Sequence, residues 1–93
     1  MSWYVYLLRC ADNTFYTGIT TAPERRLQEH NHNDRLAARY TRSRRPLQMV
    51  YFELCADRSE AAEREHYIRK LKPADKQALA DTMCDHISDE LPR

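Results

Sequence analysis

A single glycine stands in this 93-residue chain, and it lies inside a strand-like run rather than at a turn. Gly18 falls within the β-rich segment Phe15 to Thr20, FYTGIT. A glycine in a strand costs roughly 0.5–1 kcal/mol relative to alanine, and it often marks the close approach of another backbone or a ligand. A chain with one glycine also cannot form the glycine-rich loops that bind nucleotides. Gly18 therefore indicates a functional position, with an incidental weak strand end as the alternative.

The other strand and helix signals predict the element order ββαβαα. Trp3 to Cys10 is a continuous apolar and aromatic run, which is typical of a strand covered on both faces. After a turn signal at Ala11 to Thr14, the strand around Gly18 completes a hairpin. The fold class is therefore α+β, a small three-stranded sheet flanked by helices. The later predicted elements are a helix from Pro23 to Asn31, a loop with a short helical turn from Asn31 to Pro46, a strand from Leu47 to Leu54, and helices from Ser59 to Leu71 and from Ala74 to Cys84.

Length and composition limit the domain organisation. The chain is long enough for one domain, which we place at residues 1–84, followed by an acidic tail at residues 85–93 that we expect to fray. No apolar run approaches the roughly 20 residues needed to cross a bilayer, and the N-terminus lacks a signal-peptide pattern. The three cysteines, Cys10, Cys55 and Cys84, are far apart, so we expect reduced thiols and a cytoplasmic location.

A near-neutral net charge of +1 conceals a basic segment in the middle of the chain. Between Glu24 and Arg45 there are seven arginines and three acidic residues. Every cation in this segment is arginine, whose forked guanidinium suits phosphate oxygens. The segment therefore indicates a local anionic partner, with an ordinary solvated arginine face as the alternative.

Two charged residues fall on helix faces that should meet the sheet. Arg26 and His30 are four residues apart and share a face of the first predicted helix, so Arg26 must be paired or line a polar cleft. On the later helix, Glu65 projects into an apolar stripe. A carboxylate there should be neutralised by an arginine or bound to a cation, and a structural salt bridge is the alternative. The stripe consists of Ala61, Ala62, Ile68 and Leu71.

These residues together resemble a known family. Tyr4-Val-Tyr6 and Tyr16-Thr-Gly18, followed by Arg26, His30 and the helix that carries Glu65, are similar to the GIY-YIG nuclease domain and its small stand-alone bacterial branch. The resemblance covers nearly the whole chain. It departs from the family at Tyr4, where the first motif would have its glycine. The fold that the resemblance implies is the same α+β arrangement, and the implied activity is metal-dependent hydrolysis of phosphodiester bonds by an endonuclease.

The resemblance also implies roles for individual residues. Glu65 would hold one divalent ion, Mg²⁺ or Mn²⁺, because hard cations prefer oxygen ligands. Arg26 would brace the charge that develops on the phosphoryl oxygens. Tyr6 or Tyr16 would orient or deprotonate the attacking water, and His30 would share that role or contact phosphate. Gly18 would let the backbone lie close to the scissile phosphate.

The expected partner is nucleic acid, with DNA preferred over RNA and with branched forms and a role in DNA repair included. We expect backbone phosphate contacts from the basic segment, and a further protein could supply target choice. The alternative function is a nucleic-acid-binding module of the same fold with little or no turnover. The arginines assigned to phosphate contact are Arg25, Arg39, Arg42, Arg44 and Arg45.

A joint site for the two tyrosines depends on the length of one turn. Side chains alternate along a strand, so Tyr16 and Gly18 point to the same sheet face. Tyr6 joins them only if the hairpin connection has an odd number of residues, because a one-residue change moves it to the other face. We predict the odd connection.

Overall fold

Three antiparallel strands form one sheet in the order β2-β1-β3, in a computed structural model that describes residues 2–83 and 91–92. Among these described residues, four helices flank the sheet, and the predicted α+β fold is confirmed. The strands are β1 (Trp3–Arg9), β2 (Phe15–Thr20) and β3 (Gln48–Cys55), and the helices are α1 (Pro23–His32), α2 (Arg39–Arg42), α3 (Arg58–Arg69) and α4 (Pro73–Asp81).

The central strand β1 is buried on both faces, as its continuous apolar sequence predicts. Val5 and Leu7 belong to a core that α3 and α4 cover. Tyr6 and Leu8 belong to a second core on the opposite face, where α1 packs through Leu27. Each fully buried apolar side chain of this size contributes about 1.5–3 kcal/mol to stability, so the two cores fix both layers to the strand that carries Tyr6.

The connection between β1 and β2 contains an odd number of residues, which confirms the predicted geometry. Residues 10–14 link the last pair of the hairpin, Arg9 and Phe15. Tyr6 therefore pairs with Gly18 across the ladder, and Tyr16 lies on the same face as both. Asn13 adopts a positive φ of 67° in the turn, a conformation that asparagine tolerates better than most residues.

The predicted acidic tail is only partly within the described chain, since Cys84 and residues 85–90 and 93 lie outside the described residues. The two tail residues that are described do not fray. Leu91 packs against the second core, and the Pro92 carbonyl accepts a hydrogen bond of 2.7 Å from the backbone N–H of Glu24. This bond satisfies one of the free donors at the start of α1, which is why the segment is held.

Two further observations concern the described cysteines and helices. Cys10 and Cys55 are free thiols, and both are buried, while Cys84 lies outside the described residues. No helix within the described part of the chain is long and apolar enough to cross a membrane.

Candidate active site

A cleft of about 360 Å³ lies at the edge of the sheet formed by β2. Successive residues of β2 point to opposite faces, and three of them line the cleft, so it wraps around the edge of the sheet. Helices from both layers reach it there. The lining residues are Phe15, Tyr16 and Thr17 of β2, Tyr40 of α2, Glu65 and Arg69 of α3, and Lys76 of α4.

Two of the residues predicted for the site, Tyr16 and Glu65, line this cleft. Tyr6 and His30 lie beneath Tyr16 and are buried. The charges of Arg26 and Glu65 both act on Tyr6 and on Tyr16, so these groups lie near one another. The structure thus brings the predicted residues together in two layers, one open to the cleft and one below it.

The two tyrosines differ in accessibility and in hydrogen bonding. Tyr6 is only 1% exposed, and its hydroxyl lies 2.8 Å from Nε2 of His30. Burial raises the pKa of Tyr6, the neighbouring Tyr16 adds to the shift, and Arg26 opposes it. Burial also raises the pKa of Tyr16, again against the effect of Arg26. Both hydroxyls therefore keep their protons at neutral pH, and Tyr16 is the one that reaches the cleft.

A chain of hydrogen bonds fixes the protonation of His30. The Thr41 hydroxyl donates its one proton to the Ala38 carbonyl at 2.9 Å, so it can only accept from Nδ1–H of His30 at 2.9 Å. Nε2 of His30 is then an acceptor, and the Tyr6 hydroxyl donates to it. Burial, with a contribution from Arg26, lowers the pKa of His30 to about 4. His30 is therefore a neutral group that orients Tyr6.

This burial corrects one of the roles that the sequence suggested for His30. The side chain is 0% exposed, and both of its ring nitrogens are bonded within the protein. A group in this position cannot contact a substrate phosphate. The physical reason is that His30 lies on the inner face of α1, which the sequence did anticipate, while α2 covers it through Thr41.

Stability should fall as the pH drops below the ordinary pKa of His30. Its pKa is about 6.5 when unperturbed and about 4 in the folded protein, so the neutral form is favoured by folding. The contribution of neutral His30 to the free energy of unfolding is complete above pH 6.5. It is lost as the pH falls towards 4, at about 1.4 kcal/mol per pH unit. Urea unfolding at pH 7.5, 6.5, 5.5 and 4.5 should show this loss, and His30→Gln should have a much flatter profile.

The pH dependence of stability can be assigned to His30 by excluding other titrating groups. Hydrogen bonds from Thr14 lower the pKa of Asp12 from 3.8, and Arg64 lowers the pKa of Glu53 from 4.5. Protonation of these two carboxyls therefore affects stability below the pH range in which His30 titrates. His32 is exposed on the same helix, and His32→Gln should keep the wild-type slope. Equal slopes for wild type and His30→Gln between pH 6.5 and 4.5 would contradict the assignment.

Gly18 has a close partner within the protein. A Cβ atom at this position would lie 2.4 Å from Oη and 2.6 Å from Cζ of Tyr6. Cβ atoms essentially never lie this close to atoms to which they are not bonded, so the ring of Tyr6 occupies the space that a side chain at position 18 would need. The resemblance implied that a substrate phosphate approaches the backbone here, and Tyr6 occupies this space instead.

Glu65 is part-buried and paired. Its side chain is 21% exposed, and Arg69, one turn further along α3, donates a hydrogen bond to its carboxylate. Ala61 and Ile68 are buried as predicted, but Ala62 is exposed. The apolar stripe of α3 is therefore narrower than predicted, and Glu65 lies at its border, where it faces the cleft.

The donor set of the cleft suits one kind of metal ion. Glu65 is the one carboxylate among the lining residues, and the described residues contain no cluster of three acidic, histidine or cysteine side chains that could enclose an ion. Mg²⁺ keeps several waters and is commonly held by one or two carboxylates together with substrate phosphates. A single part-buried carboxylate beside an open cleft fits such an ion.

Arg26 is paired, as its inward-facing position predicts. Its Nη1 donates to Glu29 at 2.9 Å and to the Leu36 carbonyl at 2.7 Å. The side chain is 23% exposed, and its charge reaches both tyrosines. These bonds fix the direction of the guanidinium and leave its other nitrogens for further acceptors.

The arginines assigned to phosphate contact fall into two groups. Arg25, Arg39 and Arg42 are exposed and stay available to a polyanion, although Arg25 also lies 3.4 Å from Glu29. Arg44 and Arg45 are tied into the fold. Their contacts leave fewer free donors than the sequence suggested.

Arg44 links the hairpin turn to the cleft. It pairs with Asp12 at 3.1 Å, and its guanidinium lies 3.9 Å from the ring centroid of Tyr40. Tyr40 in turn stacks on Tyr16 with ring centroids 6.1 Å apart. Arg45 donates to the His30 carbonyl at 2.7 Å. Both arginines therefore hold the segment around α2 against the candidate site.

Five residues that line the cleft were not predicted from the sequence: Phe15 and Thr17, which flank Tyr16 on β2, and Tyr40, Arg69 and Lys76. Arg69 could have been found, because it follows Glu65 by one helical turn and shares its face. Tyr40 and Lys76 carry no local signal, since only the packing of α2 and α4 around the edge of the sheet brings them to the cleft.

The chain is similar to proteins of one family. The model of the GIY-YIG catalytic domain matches residues 2–78. A UPF0213 protein of Desulfotalea psychrophila is 55% identical over 78 residues, covering 84% of this chain and 70% of that protein. The NMR structure of a protein from E. faecalis is similar at a TM-score of 0.58 and 41% identity, covering 89% of this chain and 86% of that one. The matched range includes every residue that lines the cleft.

Proposed function

Because the chain belongs to the GIY-YIG family, we propose that it is a divalent-metal-dependent endonuclease that hydrolyses phosphodiester bonds in nucleic acid. One observation carries the proposal: the carboxylate of Glu65 and the hydroxyl of Tyr16 line the same cleft, with Arg26 close enough to act on Tyr16. A metal ligand, a group that can orient water and a fixed cation are what this hydrolysis requires.

The residues of the cleft have separate tasks in this proposal. Glu65 would hold Mg²⁺ or Mn²⁺, and the bound ion supplies stabilisation of the charge on the phosphate and on the leaving oxygen. Tyr16 keeps its proton at neutral pH, so it orients the attacking water by hydrogen bonding. Tyr6 and His30 act as positioning residues, because they are buried beneath Tyr16 and bonded to each other.

Arg26 stabilises negative charge on the phosphoryl oxygens. Its Nη1 is committed to Glu29 and Leu36, which holds the guanidinium in one orientation before substrate arrives. Donors that are fixed in advance cost no reorganisation during the reaction and are worth more in a partly desolvated site than in water. The remaining donors of Arg26 serve Tyr6 and a phosphoryl oxygen.

The proposed substrate is DNA, held through its backbone by the exposed arginines around α2. Arg39 and Arg42 project from the same short helix that brings Tyr40 to the cleft. Contacts of arginine with backbone phosphates supply affinity without sequence choice. Binding should therefore weaken steeply with salt, and a second protein could supply target choice in the cytoplasm.

A cleavage assay with the purified protein tests the proposal directly. Single-stranded, duplex and branched DNA and RNA are incubated with Mg²⁺, with Mn²⁺ and with a chelator. We expect cleavage with metal and none with chelator. The variants Tyr16→Phe and Tyr6→Phe accompany the wild type, since a co-purified nuclease would cleave equally in every sample.

The two tyrosine variants should fail in different ways. Tyr16→Phe removes the hydroxyl that faces the cleft, and we expect about a hundredfold slower cleavage with an unchanged melting temperature. Tyr6→Phe leaves the buried Nε2 of His30 without its donor, which costs about 1–3 kcal/mol of stability. Cleavage kinetics and thermal melts separate these outcomes. A stable, inactive Tyr6→Phe protein beside a fully active Tyr16→Phe protein would reverse the assignment.

The second candidate function is nucleic-acid binding without turnover. The observation in its favour is the ion pair with Arg69, which occupies the carboxylate that would hold a metal. Oligonucleotide binding without cleavage under every metal would support this candidate.

A further inference from the structure

We propose that Arg69 and Lys76 form a second phosphate site, which holds a backbone phosphate next to the one that is cleaved. Both residues line the cleft, on the side built by α3 and α4. The inference rests on the proposed function in one respect, since it assumes that the anion in the cleft belongs to nucleic acid.

Lys76 has no anionic partner within the described part of the chain. Its side chain is part-buried, and its ammonium group makes no ion pair or hydrogen bond with any residue in ranges 2–83 and 91–92. The one carboxylate that lines the same cleft, that of Glu65, is paired with Arg69. A cation in a partly desolvated cleft gains from an incoming anion, because desolvation without a partner is unfavourable.

Arg69 can change partners when the cleft is occupied. Its side chain is 61% exposed, so the pair with Glu65 is weak and the guanidinium is free to move. A divalent ion on Glu65 would repel Arg69 and release it towards the substrate. The guanidinium fork suits two oxygens of one phosphate, and Lys76 adds a point charge beside it.

The remaining walls of the cleft favour a nucleotide over other anions. Phe15, Tyr16 and Tyr40 bring three aromatic rings to the lining of the same cleft as the two cations. Clefts that combine cations with aromatic rings are typical of nucleic-acid channels, where cations follow the backbone and rings contact sugars and bases. The phosphate contacts predicted from the sequence involve only arginines between Arg25 and Arg45, so this site on α3 and α4 would be additional to them.

The test measures binding in a chelator, so that it does not depend on cleavage. A fluorescein-labelled single-stranded DNA is titrated at several salt concentrations with wild type, Lys76→Gln and Lys70→Gln, read by fluorescence anisotropy. Lys70 is exposed at the end of α3 and does not line the cleft. We expect Lys76→Gln to weaken binding several-fold and to reduce the salt slope by about one, while Lys70→Gln leaves the slope unchanged.

The exchange of Arg69 is tested in the same assay. In wild type, Arg69→Gln should have a small effect, because Arg69 is bound to Glu65. In a Glu65→Gln background Arg69 is released, and its removal should then weaken binding by a clearly larger factor. Equal effects of Arg69→Gln in the two backgrounds would overturn the exchange, and melting temperatures show that each variant is folded.

These outcomes separate the phosphate site from the nuclease proposal. Metal-dependent cleavage together with unchanged binding by Lys76→Gln would overturn the phosphate site alone. Binding that depends on Lys76, without cleavage under any metal, would overturn the nuclease proposal alone. A wild type that binds no oligonucleotide even at low salt would overturn the phosphate site.

Discussion

Glu65→Gln is expected to slow metal-dependent cleavage by at least about a thousandfold. A bound divalent ion contributes several kcal/mol of charge stabilisation, and each 1.36 kcal/mol corresponds to about a tenfold change in rate. Glutamine has nearly the same shape as glutamate but lacks the charge that holds a hard cation. The fold should be unaffected, because the exposed ion pair with Arg69 is worth only about 0.3–0.5 kcal/mol.

Glu63→Gln is the matched control, since Glu63 is exposed on the same helix and does not line the cleft. Single-turnover cleavage in Mn²⁺ gives the rates, and electron paramagnetic resonance of free Mn²⁺ measures binding of the ion directly. We expect Glu63→Gln to match the wild type in both. Wild-type rates in Glu65→Gln would remove the carboxylate from the mechanism.

Local patterns were sufficient to predict the fold. The continuous apolar run of β1 indicated burial on both faces, and the structure divides Val5 and Leu7 from Tyr6 and Leu8 accordingly. The hairpin was also predictable, because the alternation of side chains limits where Tyr6 can lie relative to Tyr16. The spacing of apolar residues and the residues that favour turns are both local features, so they can be read directly from the sequence.

The candidate site was only partly predictable, because its arrangement depends on tertiary contacts. His30 was placed correctly on the inner face of α1, but its burial required Thr41 from a segment predicted as a loop with a short helical turn. Charge alone assigned Arg44 and Arg45 to phosphate, whereas the structure commits them to Asp12 and the His30 carbonyl. Lys76 reaches the cleft only because α4 folds back beside α3.

The predicted site residues occupy two layers, one at the cleft and one buried beneath it. Tyr16 and Glu65 face the cleft, where Glu65 is paired with Arg69. Tyr6 and His30 are buried and bonded to each other, so in the proposed reaction they would act only through the position of other groups. Substitution of a residue in the lower layer should therefore change stability and activity together. We expect this most clearly at Gly18, which lies directly against Tyr6.

Gly18→Ala should destabilise the protein by about 1–3 kcal/mol and slow cleavage by about a hundredfold. The new methyl group would lie 2.4 Å from Oη and 2.6 Å from Cζ of Tyr6. Tyr6 cannot move aside at low cost, since it is buried and bonded to His30. A shift of the order of 1 Å in a catalytic arrangement can cost about a hundredfold in rate. Urea unfolding and single-turnover cleavage measure the two effects.

A double-mutant comparison identifies Tyr6 as the cause. In a Tyr6→Leu background the ring is absent, so adding Gly18→Ala should cost much less stability than it does in wild type. A Tyr6→Phe background should give little relief, because the ring carbon at 2.6 Å remains. If Gly18→Ala were equally costly in all three backgrounds, the glycine would be required by the strand itself and not by the tyrosine beneath it.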